Sequence, residues 1–550
     1  MNNPVLNAVF GGLLRMTEAL MASAPTLLVG LAVAAILRFY LGANGTRRLF
    51  GGDSLRALPQ SWAVGMLLPV CSIGVLPILI EMRRAKLKAG ALSAFALAAP
   101  LFNPLSLLYG VTLSRPYVIL MFAVGSLLVV TLVGMFWDRY SAAREREDDS
   151  QALASEKDPT DIGVRRLFAV IGYMCRQLVG PVGVWTLVAA LGVGLLACFL
   201  PWGALQHSIN RDDWWAPARM AGVAIPAYAT PMLAMSQLGM MFQHANSPGA
   251  AFILLVIGAG VNLGTIGWLA RHFGNRSVAV WFTCLMVIVV GIAYALNRPL
   301  IPPGVTPSDH THAFDIYTNP IHFLDSNVGA FAREKLAEKF GPVEQICLAI
   351  FAAMGLAGAA LRLLDRTKGD GTESVSAGSE SVDTPPQSTM LGYDRIVSSQ
   401  VVGGTMIIGL IVISVVMCYS FYPAPEECME EIRLIRAEAM SAALSGDTEH
   451  AKFWVPHWDQ WSRRAEVGAF LRRGTITPYQ RMQGFLLRKK LDLFEHELEH
   501  EHDDPFEIRG FVDDVMATDT RWRTAYREPY GSSDEEVVVN NVVIPSDQDL

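Results

Sequence analysis

A chain of 550 residues that is 52% hydrophobic and only 17% charged, with a mean hydropathy of +0.33, is too apolar for an ordinary soluble domain, of which roughly a quarter is charged. The formal net charge of -7, with no extended basic surface interleaved with aromatics, argues against nucleic acid as a partner. The partner implied by composition is a lipid bilayer, where a spanning chain must satisfy its backbone internally, so the expected fold is all-α: a polytopic membrane helix bundle.

In chain order, hydropathy predicts about ten spans, near 21–41, 61–82, 89–112, 116–137, 168–200, 218–242, 248–270, 278–296, 343–363 and 399–420. The first residues lack a basic n-region and a small-residue cleavage site, so the first apolar stretch is expected to remain as a span. The expected organisation is a first repeat (1–138), a charged loop (139–166), a second repeat (167–300), a polar His/Asp loop (301–342), an additional span (343–363), a disordered Gly/Ser/Pro-rich linker (364–398), a last span (399–420) and a small polar helical tail (421–550). Arg83, Arg84, Lys86 and Lys88 in one short loop, and Arg139, Arg144, Arg146, Arg165 and Arg166 in another, place both loops on the cytoplasmic side and are expected to fix topology. The apolar run 167–200 carries Gly180-Pro181 and either crosses once or bends back; a bend is favoured, which would invert one half relative to the other.

The two halves repeat one skeleton. "GMLLPVCSIGVLP" followed by "GALSAFALAAPLFNP" is echoed by "GVAIPAYATPMLA" followed by "GAAFILLVIGAGVNL". Gly65 and Pro69 match Gly222 and Pro226, while Gly90 and Asn103 match Gly249 and Asn262. A duplicated pair of Gly/Pro-interrupted apolar segments points to a transporter binding site near mid-membrane. The candidate pathway residues are Cys71, Ser72, Gly74, Pro77, Asn103 and Pro104 in the first half and Tyr228, Thr230, Pro231 and Asn262 in the second. An interior proline frees a carbonyl that lipid cannot satisfy, so such breaks should face protein or a cavity. The two asparagines read equally as packing glue, bonded across the bundle, or as pathway lining.

Seven scattered cysteines give no disulfide framework or CxxC site, and those at 175, 198, 284, 347 and 418 read as small hydrophobes. Cys71, two residues beyond Pro69, is the exception, placed where a broken helix could offer a thiol to a soft solute.

At "PVCSIGVLPI", "RRAKLKAGALSAF" and "AAPLFNPLSLL" the chain resembles the predicted-permease family that includes the organoarsenical efflux permease ArsP and the YraQ-type permeases, over roughly residues 20–300. The resemblance implies a multi-pass permease of the cytoplasmic (inner) membrane, with some members exporting trivalent organoarsenicals through thiol-capable sites. Relatives often read Cys-Ser-Cys-Gly where this chain reads "CSIG", so Ile73 stands in place of a second cysteine. The expected function is therefore permease activity toward a small solute, with efflux of a soft-metal or organometalloid compound as its finer form.

Two constellations carry other chemistry. His310, His312 and Asp315 in the loop 308–325 combine imidazole and carboxylate and are a candidate divalent-metal set, against a plain polar loop. "HELEH", residues 496–500, matches a zinc-hydrolase motif, but His496 and His500 fall opposite Leu491, Phe494 and Leu498 on a helix and read as a solvated face. A membrane-anchored zinc hydrolase and a non-transporting scaffold are the alternatives. No Walker A pattern is present, no cofactor is implied, the protein is not expected to be an enzyme, and a homo-oligomer is left open.

Overall fold

The structure, a computed structural model, describes residues 4–54, 56–113, 116–141, 164–205, 210–225, 230–301, 314–321, 328–339, 341–369, 399–499 and 505–527. Among these the chain is helical, with one isolated bridge between Asn210 and Asn246. Helices α1 (Pro4–Ile36) and α2 (Gly42–Leu49) are joined through a π segment, Leu37–Leu41. Then come α3 (Ala57–Leu67), α4 (Leu76–Arg84), α5 (Ala89–Ala98), α6 (Pro104–Leu113) and α7 (Pro116–Ser141). The second half holds α8 (Val164–Val179), α9 (Pro181–Phe199), α10 (Ala216–Ala224), α11 (Pro231–Gln243), α12 (Pro248–Ile253, extended by a π segment to Ala259), α13 (Leu263–Phe273) and α14 (Asn275–Asn297). Beyond it lie α15 (Val328–Lys339), α16 (Pro342–Gly369), α17 (Ser399–Phe421), α18 (Pro425–Ser445), α19 (Thr448–Arg473), α20 (Pro478–Glu499) and α21 (Pro505–Arg527).

Five described helices are long and apolar enough to cross a bilayer: Val5–Leu49, Pro116–Ser141, Val164–Phe199, Asn275–Asn297 and Val343–Leu364. Pro248–Ala259 with Leu263–Phe273, bent by 59°, makes a sixth if counted as one span. On α9 a stripe at every fourth residue, Leu187, Leu191 and Leu195, is about half exposed, the pattern of a lipid-facing side.

Four of the ten predicted stretches are not continuous helices. Residues 61–82, 89–112, 218–242 and 248–270 each break into two pieces, because Pro and Gly stand where a helix would otherwise run through. The first does not cross: Lys88 Nζ donates to Asp53 O at 2.8 Å, so the chain leaving α4 returns to where it entered α3. The Asn210 to Asn246 bridge closes the α10–α11 hairpin at the same place in the second half. The favoured bend in 167–200 is also corrected. Val164–Phe199 counts as one 36-residue span, interrupted only at Gly180, since Pro181 opens α9 from its first turn where a missing N–H costs little. Helix α16 continues to Gly369, past the expected end at 363; residues 370–398 of the expected linker lie outside the described residues.

The chain divides into two compact units, one of 1–103, 121–301 and 307–411, the other of 104–120, 302–306 and 412–550. In the second unit, the polar tail has a true core: Trp458, Trp522, Tyr526, Leu491, Phe494 and Leu498 are buried together. The expected apolar face of α20 is therefore the buried one. Within the same unit, Tyr422 Oη donates to Leu105 O at 2.9 Å and Arg463 Nη1 lies 3.4 Å from Tyr109 Oη, tying α19 and the end of α17 to α6.

Candidate functional site

The helix that follows each hairpin, α5 or α12, is held at its start by the same device. Gly90 N donates to Asp138 Oδ1 at 2.6 Å, and 159 residues later Gly249 N donates to Asn297 Oδ1 at 3.0 Å. A Cβ at Gly90 would strike Gly134 O, and a Cβ at Gly249 would lie 2.6 Å from Ala293 O, again 159 residues on. Glycine is needed at both positions because backbone meets backbone there.

Contacts between the halves are reciprocal at the same offset. Phe122 packs edge-on against Phe252 at 5.4 Å, and Trp281, 159 residues after Phe122, donates from Nε1 to the Oγ of Ser93, 159 residues before Phe252, at 2.8 Å. Such a pattern, residue to partner and counterpart to counterpart, is that of an approximate two-fold axis. Equivalent helices run antiparallel about it. Trp137 near the end of α7 meets Ser277 and Trp281 near the start of α14, while Gly125 near the start of α7 faces Leu296 near the end of α14. In the same way Gly12 of α1 packs on Gly194 of α9, and Phe39 beyond the other end of α1 packs on Tyr173 of α8. The halves are inverted, as expected, although the inversion is built without the bend invoked for it.

The two breaks meet on this axis. A Cβ on Gly260 would lie 3.3 Å from Leu101, its own counterpart 159 residues earlier. Beside it, Thr265 Oγ1 lies 3.3 Å from Ser72 O, joining the α3–α4 break to the start of α13. Asn262, 1% exposed, caps α13: its Oδ1 accepts from Thr265 N at 2.8 Å. The cross-bundle partner expected for this amide is thus replaced by its own helix, and its Nδ2, like the buried Ser72 Oγ, has no hydrogen-bond partner. Asn103, buried, stands at the corresponding place before α6.

The other candidates fall as follows. Cys71 is fully buried, and its Sγ accepts from Thr26 Oγ1 at 2.8 Å and Gly74 N at 3.4 Å. It shares an apolar cluster with Cys175, Ile73 and Met354. Thr230 caps α11 through Leu233 N at 3.2 Å. Pro77, Pro104 and Pro231 all sit in the first turn of a helix, not in its interior. They free no carbonyl; their fixed φ starts the second half-helix after each break. Pro104 belongs to the second unit. Tyr228, His310 and His312 lie outside the described residues. Asp315 is buried and offers its backbone oxygen to Arg15 Nη2 at 2.7 Å. On α20, His496 and Glu497 are half-buried and His500 is outside the described residues.

Residues 10–298 match a family described as a predicted permease, of the ArsP type. The chain belongs to that family. This permease is 22% identical over 293 residues to the UPF0718 protein YcgR of Bacillus subtilis (strain 168), a stretch covering 52% of this chain and 94% of that protein. No solved structure matches. The match covers both inverted repeats and ends before α15, α16 and the C-terminal helices.

Two features of the permease escaped the reading of its sequence. One is the Asp138 and Asn297 pair, which the repeat would have shown had it been extended 35 residues past Asn103 and Asn262. The other is a buried ionic cluster: Glu81 Oε2 accepts from Arg84 Nε at 3.0 Å, and Oε1 accepts from Tyr173 Oη at 2.7 Å with Arg38 Nη1 at 3.4 Å. Arg84, expected only to mark the cytoplasmic side, is 6% exposed. The available signal was Glu81 itself, an acid inside an apolar run.

Proposed function

We propose that this membrane permease carries a small solute past the meeting point of its two breaks, binding it with Ser72, Asn262 and Cys71, and that it exports a soft-metal or organometalloid compound across the cytoplasmic membrane. The observation that carries the reading is the pair of buried, unpartnered polar atoms, Ser72 Oγ and Asn262 Nδ2, beside the point where Leu101 meets its counterpart Gly260. A buried polar group without a partner costs roughly 1–3 kcal/mol, a cost that a solute would relieve on binding. Family membership supports the permease reading, and a thiol at the same break suits a soft ligand. One thiol at the break, with Ile73 in place of another, suits a monofunctional soft centre better than one demanding three thiolates.

The test is flux into everted vesicles with a panel containing a trivalent organoarsenical, antimonite and neutral organic solutes. Cys71→Ala should lower flux of the thiophilic members selectively, and Ser72→Ala with Asn262→Ser should lower flux of every transported member. Normal arsenical flux in Cys71→Ala would sink the soft-solute reading, and normal flux in the double variant would sink the site.

A further inference from the structure

The second helix of each hairpin is pinned by a buried tyrosine, α4 near its C-terminal end and α11 at its midpoint. On α4 the acceptor is Glu81, 3% exposed, which takes the Tyr173 hydroxyl at 2.7 Å and is flanked by Arg84 at 3.0 Å and Arg38 at 3.4 Å; the Arg38 guanidinium also lies over the Tyr173 ring at 5.0 Å. On α11 the acceptor is Gln237, 2% exposed, which takes the Tyr317 hydroxyl at 2.9 Å. Gln237 stands three residues, less than one turn, from the position 159 residues after Glu81. Tyr317 is held in turn by Arg15 of α1, whose Nη2 donates to Asp315 O at 2.7 Å and Nε to Thr318 O at 3.0 Å.

The two pins lie at opposite ends of one spanning helix. Arg38 and Arg15 are 23 residues apart, or ~34 Å at 1.5 Å per residue, against a hydrocarbon core of ~30 Å. Each pin joins a hairpin to elements outside it: Glu81 to α8 and the π segment after α1, Gln237 to the segment 314–321. Between them lies the α3–α4 break, where Cys71 bonds Thr26 and Gly74 meets the backbone of α1. A solute held there cannot leave toward one face while that face's hairpin is tied; the neutral bond costs little to exchange for water, whereas the buried ion pair opens only as water takes up its charges.

We propose that Glu81 with Tyr173, Arg38 and Arg84 forms the gate on the face of the basic loops, and Gln237 with Tyr317 forms the gate on the opposite face, the two opening alternately. The inference rests on the permease reading above and assigns positioning residues to it. The gates differ in chemistry, one ionic and one neutral, so ionic strength should loosen the first and leave the second unmoved once the first is exposed to water.

Accessibility of Cys71 tests this without any solute. In the full chain with the other six cysteines replaced by alanine, a membrane-impermeant maleimide is applied to one vesicle face at a time. Tyr173→Phe and Glu81→Gln should raise Cys71 labelling several-fold from the face of the basic loops only. Tyr317→Phe and Gln237→Leu should raise it from the opposite face only. Tyr→Phe keeps the ring and its packing, so misfolding, checked by monodispersity in detergent, is separated from loss of the hydroxyl. Increases from the same face for both pins, or no increase in any monodisperse variant, would overturn the gates. Side-specific labelling in a protein that moves none of the panel would leave the gates standing and remove the solute reading.

Discussion

Asn262 uses its two amide ends differently, the oxygen capping α13 and the nitrogen left without a partner. The substitution Asn262→Ser keeps a capping oxygen and removes the amide donor, whereas Asn262→Ala removes both. Thermal stability in detergent should be nearly unchanged in the first and fall by about 1 kcal/mol in the second. Solute flux should fall in both. Equal stability in the two variants would show that the cap is not what the side chain contributes. The asparagine was legible in the sequence as a polar residue repeated inside an apolar segment, but the split of its two ends was not. That depends on Thr265, whose hydroxyl reaches Ser72, 193 residues away in sequence.

At the scale of elements, the helix after each hairpin depends on an acceptor at its start. Asp138 in the first repeat and Asn297 in the second do one job, accepting from a glycine N–H, so Asp138→Asn should be tolerated. Asp138→Ala and Asn297→Ala leave that N–H unpaired and should each cost roughly 1–3 kcal/mol, read as a lower melting temperature in detergent. A melting point for Asp138→Asn as low as that of Asp138→Ala would show that charge, not acceptance, is required. In the C-terminal helices the relevant pairs are ionic. Glu466 is buried against Arg488 at 2.5 Å, and Asp519 is buried between Arg436 at 2.8 Å and Arg523 at 3.1 Å. Burial raises both carboxyls above the usual range, and the arginines only partly offset it. A folded-state value above the unfolded one means that the folded helices bind more protons. The stabilisation is complete below the ordinary carboxyl range and is lost as pH rises through the raised values. Fluorescence of buried Trp458 and Trp522 should therefore report melting that falls as pH rises through that window. In Glu466→Gln with Asp519→Asn the slope should flatten; an unchanged slope would assign it elsewhere.

For the whole molecule, inversion makes a prediction about faces. Asp53 and Asp212 lie at the bases of corresponding hairpins, so cysteines placed there should react with an impermeant thiol reagent from opposite sides of the membrane. Reaction from one side only would mean that the repeats are parallel. The bilayer, the helical class, the duplication and the family resemblance were all set by local features: apolar length, Gly and Pro placement, and a signature in 69–108. A membrane imposes these constraints residue by residue, because each backbone group must be satisfied close to where it stands. Burial of Leu491, Phe494 and Leu498 on one face of α20 was legible for the same reason, as simple periodicity. Tertiary structure alone decided that 57–84 is a returning hairpin, that the breaks meet at Leu101 and Gly260, and that Glu81 and Gln237 are pinned by tyrosines from outside their hairpins. Those facts reside in contacts between residues 35 to 193 positions apart, and such contacts follow from how long helices pack against one another, which no local pattern records.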